Sequence, residues 1–78
     1  MKTIYRKEYA SILLFLKAAR IKKNLSQEDL ALLLGKDQTY VSKYESGIRR
    51  LDVVELFDIC KVLGINMKDI ISIMDGEI

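Results

Sequence analysis

Apolar residues along this chain recur every three or four positions rather than every second one, the period of helices and not of strands. Ile12, Phe15, Leu16 and Ala19 share one face of a segment running from about Arg6 to Lys23. Leu30, Ala31 and Leu34 do so in a second segment, Val41 and Tyr44 in a third. Val53, Leu56, Ile59, Cys60 and Leu63 form the inward stripe of a fourth, and a short fifth contains Met67, Ile70, Ile71 and Met74. The pattern predicts a compact all-α chain of five helices.

The polar residues between these stripes read as start and stop signals. Asn24 is suited to a left-handed stop after the first helix. Ser26 is an N-cap for the second, with Asp29 three residues on, where a capping box places its acid, although Glu or Gln is the usual choice. Glu28 and Asp29 also suit the positive end of that helix. Gly35 ends it. Asp37 caps the third helix, which runs to about Glu45 with Gly47 as its stop, and Asp52 and Gly64 bracket the fourth. Asn66 opens the fifth.

Composition narrows the class. The 78 residues contain no proline, no histidine and one cysteine, and half of them are apolar. A chain of this length hides only roughly 60% of its unfolded surface, but half apolar content gives it a core without a disulfide or metal. Residues 1–78 therefore read as one domain. Cys60 has no partner for an internal bridge, which fits a reducing cytoplasm and a packing role. No apolar run approaches the ~18 residues that cross a bilayer, and Met1–Tyr9 is not organised as a signal peptide. With no histidine and no nucleotide-binding loop there is no catalytic or metal-ligating constellation, so an enzyme is not expected and neither cofactor nor metal is implied.

Net charge is only +2, but it is unevenly spread. Residues 1–50 carry eleven Lys and Arg against five acids, and residues 51–78 carry two Lys against six. One part of the surface is thus suited to phosphate and another would avoid it.

The span Ser26–Gly47, SQEDLALLLGKDQTYVSKYESG, then carries the most information. It specifies a short helix, a glycine turn and a second short helix whose outward positions are polar and uncharged or basic. That is the pattern of a helix-turn-helix, which sets one helix across DNA and the next into its major groove. Helices this short are marginal alone and need tertiary contacts. Ala31 is small where the two helices meet most closely, and a leucine there would push them apart.

The ordered set Leu16, Arg20, Leu25-Ser26-Gln27, Leu30-Ala31, Leu34-Gly35, Val41 to Glu45, Gly47 and Leu56 to Gly64 resembles the phage repressor and Cro-like helix-turn-helix family, also called the Xre family. The similarity covers about Tyr9 to Ile71. Gln38 to Glu45 followed by Arg49 to Glu55 looks like its small, stand-alone members. The resemblance implies a repressor-like DNA-binding fold with its helix-turn-helix core at 26–47. The implied function is a sequence-specific transcriptional regulator, a repressor, in a bacterial or phage-encoded cytoplasmic setting.

Position by position, the resemblance implies base contacts from Gln38, Thr39, Ser42 and Lys43. An amide can read adenine through paired donor and acceptor, and a threonine methyl can pack on thymine. It implies phosphate contacts from Gln27, Lys36, Tyr40, Arg49 and Arg50. Asp37 departs from the family's common Ser or Thr and puts a negative charge beside the backbone, where its task is the helix cap. Arg20 and Glu45 match a family pair behind the DNA-facing surface, a bidentate and partly buried bond that sets the tilt of the third helix.

One unit of this size covers few base pairs, so a homodimer on a near-palindromic operator is expected, with half-sites roughly 34 Å apart. Helices four and five (52–75) supply the candidate contact, through Ile70, Ile71, Ile73 and Met74, with Ile78 following. Leu14, Ala18 and Ile21 form a second apolar stripe on the first helix, and Leu32 and Leu33 add to the surplus. That surplus motivates the alternative function, an antitoxin or antirepressor-type module whose main partner is another protein.

Overall fold

The computed structural model describes residues 6–76, and every structural statement below concerns these. Ile78 and most of the Met1–Tyr9 segment fall outside them. Five helices follow in order: α1 Lys7–Lys22, α2 Gln27–Leu34, α3 Gln38–Glu45, α4 Val53–Leu63 and α5 Met67–Met74. Among the described residues there is no strand, and no helix is long and apolar enough to cross a membrane.

The boundaries fall where the polar signals place them. Asn24 adopts φ 59°, the left-handed turn that lets the chain leave α1. At α2 the capping box is complete: the Asp29 N–H donates to Ser26 Oγ at 2.9 Å and the Ser26 N–H donates to Asp29 Oδ2 at 3.0 Å. Aspartate thus does what glutamate usually does at this position. A second box joins Asp52 to Glu55 at the start of α4. Asp37 Oδ1 accepts from the Tyr40 N–H, and Asn66 Oδ1 from the Lys68 N–H. Gly35 ends α2 at φ 71°, where any side chain would be strained, and so turns α2 into α3 within three residues.

The core is built from Ile12, Leu13 and Leu16 of α1, Leu30 and Ala31 of α2, Val41 and Tyr44 of α3, Ile59, Cys60 and Leu63 of α4, and Ile70 of α5. Fully burying each of the larger apolar side chains contributes about 1.5–3 kcal/mol. That is what holds α2 and α3, each of eight residues, in helical form. Phe15, Ala19, Leu34, Leu56 and Met67 pack on this cluster from partly buried positions.

One expected inward position faces solvent instead. Val53 is 69% exposed, because it opens α4 in a first turn that overhangs the core. Ile71 and Met74 are exposed as well, since α5 rests on α1 along a narrow stripe made by Met67, Ile70 and Ile73. Ile70, expected at a subunit contact, is 1% exposed and belongs to the core. Leu13, absent from the expected stripe of α1, is buried.

Candidate nucleic-acid interface

Helix α3 is anchored from behind. Val41 and Tyr44 have no exposed surface, and α3 makes its most extensive contact with α2. Its opposite side carries Gln38, Thr39 and Lys43 in solvent, with Ser42 half-buried at the edge. Nothing in that outward set is acidic, so a helix held this firmly presents an uncharged-to-basic surface at a diameter a major groove admits.

One buried ion pair ties the end of α3 to α1. Arg20 Nε donates to Glu45 Oε2 at 2.7 Å and Nη2 donates to Oε1 at 3.1 Å, and the two side chains are only 9% and 5% exposed. Arg20 Nη1 also donates to the Leu25 carbonyl at 2.8 Å, tying the α1–α2 loop into the same fork. The Glu45 carboxylate holds the guanidinium's proton more tightly than usual, against the opposing effect of burial.

Forward of that pair, the amide of Gln27 donates from Nε2 to Glu45 Oε1 at 3.0 Å. Its carbonyl oxygen accepts from Gln38 Nε2 at 2.8 Å. Gln27 and Gln38, eleven residues apart, are thus joined at the mouth of the α2–α3 unit. The Thr39 hydroxyl donates to Asp37 Oδ1 at 2.6 Å, which commits its polar end to the cap. That hydroxyl, then the Tyr40 N–H, holds the Asp37 carboxyl below the usual carboxylate range.

Tyr40 gathers the flanking cations. Lys36 Nζ lies 5.3 Å and the Arg49 guanidinium 4.8 Å from its ring centroid, within cation–π range. Burial raises the Tyr40 phenol's pKa, so it is a neutral donor here. Arg49 does more than the sequence suggested. Its Nη1 donates to Glu55 Oε1 at 3.0 Å and its Nη2 lies 2.8 Å from Oε2, so the guanidinium is held on the acid that completes the α4 capping box. Arg50 instead stacks over the Tyr9 ring at 4.7 Å, and the Tyr9 hydroxyl accepts from the Leu51 N–H at 3.0 Å.

The polar candidates named from sequence, Arg20 of α1 apart, therefore lie on the α2–α3 unit or the loop behind it: Gln27 is joined to Gln38, Lys36 and Arg49 flank Tyr40, Arg50 lies against α1, and Thr39, Ser42 and Lys43 stand along α3 with Glu45 at its end. Sequence reasoning missed Glu55 and Tyr9. The Asp52-x-x-Glu55 spacing signalled the first, whereas a contact 42 residues away leaves no local trace of the second.

Residues 16–70 match the helix-turn-helix family, a stretch that includes the Ser26 capping box, the Gly35 turn and the whole of α3. The chain belongs to that family. It is a DNA-binding transcriptional regulator of the Xre type. Two relatives bear this out. Control protein C.MunI of Mycoplasma sp is 36% identical over 61 residues, covering 78% of this chain and 82% of that protein. Control protein C.BamHI of Bacillus amyloliquefaciens is 38% identical over 51 residues, 65% of this chain and 63% of that protein. Both alignments are long enough that the regulator shares its helical scaffold with them, rather than a single short motif.

Proposed function

We propose that this regulator lays α3 in the major groove of a near-palindromic operator and represses transcription by occupying it. Gln38, Thr39, Ser42 and Lys43 meet base edges. Gln27, Lys36, Tyr40 and Arg50 grip phosphates on either side. The observation that carries this reading is the acid-free outward side of α3, backed by a fully buried inner side and a bidentate ion pair. Because the Thr39 hydroxyl is taken by Asp37, its methyl is the group offered to a thymine. Arg49 is assigned a lesser phosphate role, since Glu55 already neutralises it and its main effect is to hold the loop.

Two copies act together on two half-sites. The apolar positions open to a second copy are Ile71 and Met74 of α5, with Ile73 half-buried beside them, and Ile70 is withdrawn from that set. Residues 51–78, with their excess of acids, keep that end away from phosphate.

The test is duplex binding against salt. Wild type is expected to bind a selected duplex at nanomolar concentration, with affinity falling steeply as salt rises. Gln38→Ala should relax base preference at one position, whereas Arg50→Ala should weaken all duplexes evenly and reduce the salt slope by about one. Equal losses on every duplex for the Gln38 and Arg50 variants would defeat this division of roles.

A further inference from the structure

The peptide group between Arg50 and Leu51 is held from both ends. Its carbonyl oxygen accepts from Arg49 Nη1 at 3.3 Å, and its N–H donates to the Tyr9 hydroxyl at 3.0 Å. Elsewhere in residues 46–52 the chain is tied locally. The Gly47 N–H donates to the Tyr44 carbonyl, the Arg49 N–H to the Lys43 carbonyl, and the Asp52 N–H to Glu55. Tyr9 is different, because it comes from the first turn of α1, 42 residues from Leu51. It packs against the core from a half-buried position, so its hydroxyl is a fixed point that the core carries out to the loop.

Tyr9 meets the loop a second time, through its ring. The Arg50 guanidinium carbon lies 4.7 Å from the ring centroid, within cation–π range. A planar peptide held at both ends limits the directions in which Arg50 leaves the main chain. The ring then holds the far end of the same side chain. One residue thus restrains Arg50 at its root and at its tip, while Arg50 itself stays exposed. The ring is neutral, so this contact places the guanidinium without setting a negative charge against it. Immobilising a long side chain on binding costs about two- to tenfold in affinity, a loss that an arginine ordered beforehand avoids.

We propose that Tyr9 is a positioning residue for DNA binding, holding Arg50 in the attitude in which it meets a backbone phosphate. This rests on the reading of Arg50 as a phosphate contact. Phosphate contacts carry no sequence information. Tyr9 therefore sets how tightly every duplex is held and leaves the preferred sequence unchanged. It acts through Arg50, from a helix that lies behind the α2–α3 unit.

The experiment measures affinity against salt for the full chain, with Tyr9→Leu and Tyr9→Phe each made in wild type and in Arg50→Ala. The probe is a duplex that wild-type protein recovers from a random-sequence pool, with single-base-pair changes of it alongside. Tyr9→Leu removes both contacts and should weaken binding about three- to tenfold, in equal proportion on every duplex. It should also lower the salt slope toward that of Arg50→Ala. Tyr9→Phe keeps the ring and its packing and loses only the bond from Leu51, so a loss of about two- to threefold is expected. In the Arg50→Ala background neither change should cost more than about 1.5-fold, because the side chain being positioned is gone. A thermal melt checks folding, and where Tyr9→Leu does not fold the Tyr9→Phe pair makes the same comparison. If a Tyr9 change weakens binding as much in Arg50→Ala as in wild type, Tyr9 serves the fold alone and the proposal is overturned. Wild-type affinity and slope in both Tyr9 variants overturn it too. If Arg50→Ala itself leaves affinity and slope unchanged, the phosphate reading of Arg50 fails and the proposal goes with it. That failure shows without any Tyr9 variant, so the two are told apart.

Discussion

Replacing Arg20 by methionine keeps an unbranched apolar stem and removes the partner of a carboxylate that is almost wholly out of water. An exposed ion pair is worth about 0–1 kcal/mol, whereas stranding one member of a buried pair costs about 3–5 kcal/mol. Side-chain exposures of 9% and 5% put Arg20 and Glu45 in the second class. Two bonds to Glu45 and one to the Leu25 carbonyl go together. Gln27 remains as a neutral donor to Glu45, which places the loss near about 3 kcal/mol, the lower end of that range. A chain of 78 residues has about 4–12 kcal/mol of stability in all, so a quarter or more of it disappears. At about 4–8 °C per kcal/mol the melting temperature should fall roughly 12–24 °C. Urea and thermal unfolding followed by circular dichroism measure it directly. The double variant Arg20→Met with Glu45→Met should recover at least half of the loss, because neither charge is then left unpaired. A loss below about 1 kcal/mol for Arg20→Met would place the pair with ordinary surface pairs and rule out a buried one.

Tyr44→Phe should act in the opposite direction. The Tyr44 hydroxyl is buried without a hydrogen-bond partner among the described residues, and burial drives its pKa upward. Removing such an orphan should raise stability by about 1 kcal/mol in urea titrations, and a loss of that size would show that the hydroxyl has a partner after all. Stability should also depend on pH in one window only. Asp29, Asp37 and Glu55 all titrate below the ordinary carboxylate range, held there chiefly by the Ser26 backbone, the Thr39 hydroxyl and Arg49 respectively. Depressed folded values mean that their contribution is present at neutral pH and is lost as pH falls through them. With no histidine in the chain, the urea midpoint should stay level from about pH 8 to 5 and drop below about pH 4. A step between pH 6 and 7, or a rise on acidification, would contradict this.

Much of the fold was legible because its signals are local. Ser26 with Asp29, Asp37, Asp52 and the left-handed residues Asn24 and Gly35 each act within a few residues of a helix end, and the structure puts the ends there. Burial was less legible where it depends on a neighbour's reach. Ile71 and Met74 recur at helical spacing, yet α5 lies chiefly against α1 and packs through Met67, Ile70 and Ile73. Val53 fails for a related reason, since position in a stripe says nothing about whether the core extends to the first turn. In the candidate site the residue types were visible in sequence and their allegiances were not. Arg49 and Arg50 are adjacent and alike in sequence, but one is bound by Glu55 of α4 and the other lies over Tyr9 of α1. Which side chains each cation meets is a tertiary fact that its place in the sequence does not give.

The central claim is that the outward side of α3 is the surface that meets DNA. Titrating isotope-labelled protein with a selected duplex and following backbone and side-chain amide resonances tests it most directly. The largest shifts are expected at Gln27, Lys36 and residues 38–43, with Leu14, Ile21 and the α4 surface unmoved. Shifts concentrated on α1 or α5, with Gln38 and Lys43 silent, would contradict it.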